Sequence, residues 1–230
     1  MVSYNDFQGT VWKSQIIKRD FTVLKDKNPN SVFEHFLANI TGGDNDRFIS
    51  LQSVMGYLLH PYKDPSFSKA VILLDENIDF SGVANGGTGK SLIATALSQI
   101  TPMVIKDGKR YNANENFVFD DIRPHHRILY FDDVKRNFQF EEFYSIITGS
   151  LKVNRKYKDS VLLPPNLTPK LLISSNNMVK GTGGNTDERR RIEFEIAPYY
   201  SADFTPRNEF GHVFFEDWDK SEWEQFDWYR

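Results

Sequence analysis

"ANGGTGKS", Ala84–Ser91, decides the fold. A small residue, four positions of any kind and then Gly-Lys-Ser is the spacing of a loop that wraps phosphates, and here Ala84 takes the first place and Gly89, Lys90 and Ser91 the last three. Glycines at 86, 87 and 89 let successive backbone N–H groups turn inward, where side chains would obstruct the ligand. The helix expected from "KSLIATALSQI" adds its positive N-terminal end. The expected polyphosphate contacts are therefore Ala84, Asn85, Gly86, Gly87, Thr88, Gly89, Lys90, Ser91 and Leu92. Lys90 is expected to bridge the β and γ phosphates of ATP, and the Ser91 hydroxyl to ligate Mg2+. A glycine turn that merely precedes a helix is the plain alternative, and the order strand, loop, helix argues against it.

Working outward, "KAVILLDEN" (Lys69–Asn77) is a short apolar run that predicts a strand buried on both faces. The stretch Asn77–Val83 lengthens the usual connection from strand to loop. "DENIDF" supplies acids there, but directly ahead of the loop, where the metal-binding acid is not expected, so it is set aside. "RILYFDDV" (Arg127–Val134) carries the chain through the core and delivers Asp132 and Asp133 at a strand's C-terminal edge, where open α/β sheets bind ligands. Asp132 is expected in the magnesium shell, and Asp133 is expected to orient or deprotonate the attacking water. "NFVFDDI" (Asn116–Ile122) reads as a further strand, and "FEEFYSIITG" as a helix closed by Gly149. Strands alternating with helices predict an α/β fold of the P-loop NTPase class, a central and mainly parallel sheet flanked by helices.

Ahead of the sheet, "SVFEHFLANI" sets Val32, Phe33, Phe36, Leu37 and Ile40 on one helical face, with Ser31 as cap and Glu34 three residues on. "RFISLQSVMGYLLH" repeats the spacing until Pro61. The expected organisation is a lead-in and small helical subdomain over 1–65, an ATPase core over 66–200, and an acidic aromatic tail over 201–230 that packs on the core. In that tail Trp218, Trp223, Phe226 and Trp228 fall on one helical face.

Composition sets outer bounds. The 230 residues include no cysteine, which excludes disulfides and thiolate metal sites, and no apolar run approaches the roughly 18 residues needed to cross a bilayer. A cytoplasmic protein, in a host cell where the source is viral, is expected. The net charge of -3 means that any nucleic-acid contact must come from a local basic element.

Such an element is present. "SLKVNRKYKDSVLL" crowds Lys152, Arg155, Lys156 and Lys158 around Tyr157, cations for phosphates and a ring for a sugar or base. "KLLISSNN" is an apolar strand that ends in amides and brings Asn176, with Asn177 the alternative, towards a γ-phosphate. "DERRRIEF" sets Arg189, Arg190 and Arg191 before a strand, and a guanidinium fork suits a transition-state clamp. A solvated hairpin, a strand-closing turn and a salt-bridged strand edge are the structural alternatives for these segments.

Glycine loop, "YFDD", basic hairpin, "ISSNN" and "RRR", in that order, resemble the superfamily-three helicases, an AAA+ branch, and more narrowly the helicase module of phage and mobile-element primase-helicases. The resemblance runs over about 48–196. It implies a homo-hexameric ATPase that moves on single-stranded DNA, with Lys90, Ser91, Asp132 and Asp133 at nucleotide and metal. It further implies Lys156 and Lys158 on the DNA-gripping hairpin, Asn176 as sensor, and Arg190, with Arg189 its rival, as the arginine offered to a neighbouring subunit. Priming would come from a primase or polymerase domain or partner. Two other classes fit parts of the pattern: an ATP-switched replication initiator or assembly factor that never unwinds, and a small-molecule kinase.

Overall fold

Six consecutive buried residues, Ala70–Asp75, form β1, flanked by strands on both sides. In the computed structural model, which describes residues 8–9, 16, 31–64, 66–77, 87–181 and 183–228, the main sheet also contains β2 (Met103–Asp107), β3 (Ile128–Asp132), β6 (Lys170–Ser174) and β7 (Arg191–Ile196). Nearly all of the expected lead-in, residues Ala84, Asn85 and Gly86 of the glycine loop, and the Trp228 side chain lie outside the described residues. The strand order is β2-β3-β6-β1-β7 and every pairing is parallel. The mixed α/β architecture with a parallel sheet under helices is therefore the one expected.

Parallel strands covered on both faces need apolar side chains at every position. Val71, Leu73, Ile128, Tyr130, Leu172, Phe194 and Ile196 face one core. Helices α1 (Val32–Ile40), α2 (Asn45–Leu59), α3 (Lys90–Ser98) and α7 (Lys220–Trp228) contribute to that same core through residues such as Phe36, Leu51, Ile93 and Phe226. The alternate residues Ala70, Ile72, Leu74, Leu129, Phe131, Leu171 and Ile173 face a second core, closed by Tyr111, Phe138, Phe140, Phe143, Ile146 and Ile147. Those closing residues include a 3-10 turn at Phe140–Phe143 and helix α4 (Tyr144–Thr148), which stops at Gly149.

Local signals set the helix ends. The Ser31 hydroxyl accepts from the Glu34 amide and the Asp44 carboxylate from the Arg47 amide, so both leading helices are side-chain capped. Between α5 (Asn185–Glu188) and α7, the short α6 (Pro206–Phe210) carries a full capping box from Thr205 and Asn208. Helix α7 lays Phe226 edge-on against Phe33 of α1, ring centroids 5.1 Å apart.

One strand expectation is corrected. Asn116–Ile122 is a series of turns whose amides bond locally, Asp120 N to Phe117 O and Ile122 N to Phe119 O. Only Ile122 of that stretch is fully buried, too little apolar burial to hold a place in the sheet. The position beside β3 belongs to β2, an edge strand with Ile105 58% exposed. Its single fully buried residue, Val104, leaves a weak hydrophobic signature.

The basic segment stands apart as an antiparallel pair, β4 (Leu151–Arg155) and β5 (Lys158–Leu163). Leu151, Val153 and Leu163 root it in the second core. Lys156 and Tyr157 make the tip, where Tyr157 takes a left-handed backbone (φ 59°) and is 92% exposed.

Candidate functional site

The chain leaves β1 through the glycine loop and α3 to reach β2 at one edge of the sheet, and later returns to β7 on the other side of β1. Strand order thus reverses at β1, and in open α/β sheets the crevice beyond the C-terminal strand ends at such a reversal is where ligands bind. A cleft of about 380 Å3 lies there, lined by Gly87–Leu92, Asp132, Asp133, Ser174, Asn176, Thr205 and Pro206. Hollows of about 430 Å3 beside Met55 and Phe226, and about 530 Å3 beside Asp44, are larger but gather no comparable set of facing acids, cations and helix-start amides. Chemistry, not volume, selects the smaller cleft.

Gly89 shows why the loop needs glycine. Its φ is +110°, and a Cβ there would stand 2.9 Å from the Phe36 ring and 3.3 Å from Ile40. The loop therefore rests on α1 at van der Waals distance and turns into α3 without a side-chain cap, leaving leading amides for a ligand. Lys90 opens the helix and is 7% exposed. Its ammonium lies 2.5 Å from Asp75 Oδ1, an oxygen that also accepts from the Thr88 hydroxyl at 2.5 Å. Ser91 Oγ is 3.3 Å from Asp132 Oδ1.

Asp132 is fixed from both sides. Its Oδ1 accepts from the Tyr130 hydroxyl at 2.6 Å and from the Ser174 hydroxyl at 3.1 Å. Burial, with the Asp132 hydrogen bond adding to it, pushes the Tyr130 phenol well above its ordinary value, so it remains a donor. The adjacent Asp133 adopts a left-handed backbone (φ 50°) and donates its amide to Ser174 Oγ at 2.9 Å. One Asp133 oxygen accepts from Asn176 Nδ2 at 2.9 Å and the other is paired with Lys109, whose own pKa is raised by that hydrogen bond and charge. Lys109 follows Gly108, whose amide donates to Asp132 O at 2.6 Å. A Cβ at Gly108 would fall 2.6 Å from that oxygen and 2.7 Å from Val134, so only glycine permits the approach.

Of the residues singled out in the sequence, Gly87, Thr88, Gly89, Lys90, Ser91, Leu92, Asp132, Asp133 and Asn176 meet in this one cleft. Asn177 is not among its lining residues. Arg189 and Arg190 are not brought there. They precede β7, at the opposite end of the sheet, where Arg190 O accepts from Ala70 N. The Arg190 guanidinium sits 4.9 Å from the Tyr144 ring centroid and donates to Thr186 O, whereas Arg189 is exposed. Arg191 is tied to Asp187, Glu193 and Val179 O. On the hairpin, Lys152, Lys156 and Lys158 are exposed, Lys156 Nζ lies 5.3 Å from the Tyr157 ring, and Arg155 is half-buried.

Sequence reasoning did not find Asp75 as a partner of Lys90, nor Tyr130, Ser174, Lys109, Thr205 and Pro206. Tyr130 stands two residues before Asp132 on the same strand face, and that spacing was the available signal. Ser174 reaches both aspartates only through the β3–β6 pairing, which no local pattern reveals.

A model of a family of unknown function (DUF5906) matches residues 83–191. No curated protein matches the sequence. Among solved structures, the A form apo structure of the NrS-1 C-terminal region superposes with a TM-score of 0.54 at 16% identity, covering 90% of this chain and 45% of that one. An apo structure of NrS-1 residues 305–718 gives 0.52 at 16% identity over 89% of this chain and 44% of that one. A JCV helicase chain gives 0.46 at 15% identity over 74% and 47%, too loose a likeness to support an argument. The overall fold is thus shared with the NrS-1 region, of whose length this chain spans less than half.

Proposed function

We propose that the chain is the motor module of an ATP-dependent replicative DNA helicase, of the superfamily-three type found in phage and mobile-element primase-helicases, coupling ATP hydrolysis to movement along single-stranded DNA. One observation carries the reading. Lys90 and Ser91 from the glycine loop, Asp132 and Asp133 from β3, and Asn176 after β6 converge on a single cleft at the strand-order reversal.

The donor chemistry fits the nucleotide and its cation. Mg2+ takes one or two protein oxygens and fills its shell with phosphates and water, and Asp132 with the Ser91 hydroxyl offers that set. Bound there, it would neutralise charge on the β and γ phosphates. The α3 amides and Lys90 bind the polyphosphate, Asp133 takes the proton of the attacking water, and Asn176 orients both. Hydrolysis is completed by Arg190, or its rival Arg189, reaching the cleft of a neighbouring copy in a homo-hexamer. The exposed cations Lys152, Lys156 and Lys158, with Arg155 and Tyr157, grip the DNA backbone, and loss of the γ-phosphate moves the hairpin through the subunit contact. A primase or polymerase partner supplies priming.

ATP turnover with and without single-stranded DNA, run beside a solution mass and a strand-displacement assay, tests the reading. Stimulated turnover by a hexamer that parts a duplex is the expected result. Turnover indifferent to DNA would sink the motor assignment, and DNA-dependent turnover without displacement would favour the ATP-switched initiator. Lys158→Ala should weaken DNA binding and flatten its salt dependence while sparing basal turnover.

A further inference from the structure

The lysine that a polyphosphate needs is already engaged. Lys90 and Asp75 are both nearly sealed from solvent, at 7% and 5% exposed, and their charged atoms lie 2.5 Å apart. Thr88 from the same loop, 6% exposed, completes a closed triangle, donating to Asp75 at 2.5 Å and standing 3.2 Å from the Lys90 ammonium. Asp75 ends the strand that leads into the loop, and it is not among the residues lining the cleft. Among the described residues it meets the cleft through Lys90 and Thr88.

We propose that Asp75 is a positioning residue that competes with nucleotide for Lys90, so that phosphates must take the ammonium from an internal carboxylate. The proposal rests on the nucleotide reading given above. A buried ion pair is costly to break when one partner is left behind uncompensated. Arriving phosphates compensate Lys90 but leave the Asp75 carboxylate buried, with the Thr88 hydroxyl as its remaining partner. Binding is weakened by that cost, and the same cost returns as a pull on Lys90 when phosphates depart. Asp75 thus sets how easily spent nucleotide leaves, while the phosphate contacts set how it is held.

Asp75→Asn keeps the shape and the acceptor for Thr88 but removes the charge. ADP and ATP affinities, measured by titration calorimetry on the native chain and on this variant, should tighten on the order of tenfold, with ADP release slowed in proportion. Asp75→Glu should stay close to native. The gain should largely vanish when Asp75→Asn is placed on Lys90→Ala. Unchanged or weaker binding by Asp75→Asn overturns the proposal, and so does an equal gain on the Lys90→Ala background, which would mean simple relief of charge repulsion. Thermal unfolding checks that each variant folds, and Asp75→Ser, read by the same criteria, replaces the amide if it does not. Binding that Lys90→Ala weakens but Asp75 variants leave alone removes this inference only. No nucleotide binding by the native chain removes the parent reading and this one with it.

Discussion

Two buried lysines stand at opposite ends of the sheet and have opposite company. Lys90, at the C-terminal end, is matched to a carboxylate and sits on the cleft. Lys170, first residue of β6 and 4% exposed, donates to the Tyr57 and His60 carbonyls at the end of α2, touches the His60 ring and lies 4.1 Å from the centroid of the Tyr57 ring. It plugs a helix C-terminus, where unpaired carbonyls and the helix dipole favour a cation. Two of its acceptors are backbone carbonyls fixed by the helix end, whereas Lys90 is held by the side chains of Asp75 and Thr88. Burial is alike at the two lysines; the kind of acceptor is what differs.

Substituting each lysine breaks the comparison most directly. Lys90→Ala should lower ATP turnover by roughly 10³-fold per folded molecule in a steady-state assay, the scale of a lost transition-state charge contact, and should also lower stability because the Asp75 carboxylate is left buried without its ion partner. Gly108→Ala probes the same end without touching a charge: the added Cβ meets the Asp132 and Val134 backbone at 2.6 and 2.7 Å. Moving the paired aspartates should lower turnover on the order of 10²-fold, and overpacking should lower stability by about 1–3 kcal/mol in a urea titration. Lys170→Met should instead leave turnover per folded molecule near native. The Tyr57 and His60 carbonyls lose their donor, at a cost of about 1–3 kcal/mol read from the urea midpoint.

The smallest expected effect is a pH dependence at the structural end. Burial pushes Lys170 down to about 8, and Lys63, which donates to Ile146 O, is pushed to about 8 by burial and by the charge of Lys170. Between about 8 and the ordinary lysine value of 10.5 the unfolded chain holds more protons than the folded one, so stability should rise with pH across that window. Melting temperatures taken from pH 8 to 9.5, below the range of tyrosine ionisation, should climb slightly, and Lys170→Met should flatten the slope. A native chain that loses stability over this range would contradict the assignment of both amines.

Sequence legibility followed the same division. β1, β3 and β6 were readable because both of their faces are buried, which requires continuous apolar runs. β2 was not, since an edge strand ending in Lys106 and Asp107 resembles a loop, and "NFVFDD" borrowed strand character from Phe119, which packs from a turn, and from Phe117, which is exposed. At the candidate site, residues bound by fixed spacing, Gly87 to Ser91, and those delivered by a strand end, Asp132, Asp133 and Asn176, were legible. Asp75, Lys109 and Ser174 were not, because their contacts depend on strand register and on side-chain reach between segments distant in sequence. "DENIDF" was set aside for a metal role, and its first residue instead binds the loop's lysine.

The footing of Gly89 on Phe36 has a practical consequence. Phe36 lies 5.5 Å from Phe214, and Phe214 lies 5.2 Å from Trp218, which in turn stands edge-on to Trp223 at 5.2 Å. Were the proposed nucleotide to shift the loop, this chain of contacts would carry the movement to the indoles. Intrinsic fluorescence titrated with ATP is therefore a label-free test of the proposed occupancy, legible in a cuvette without modifying the protein.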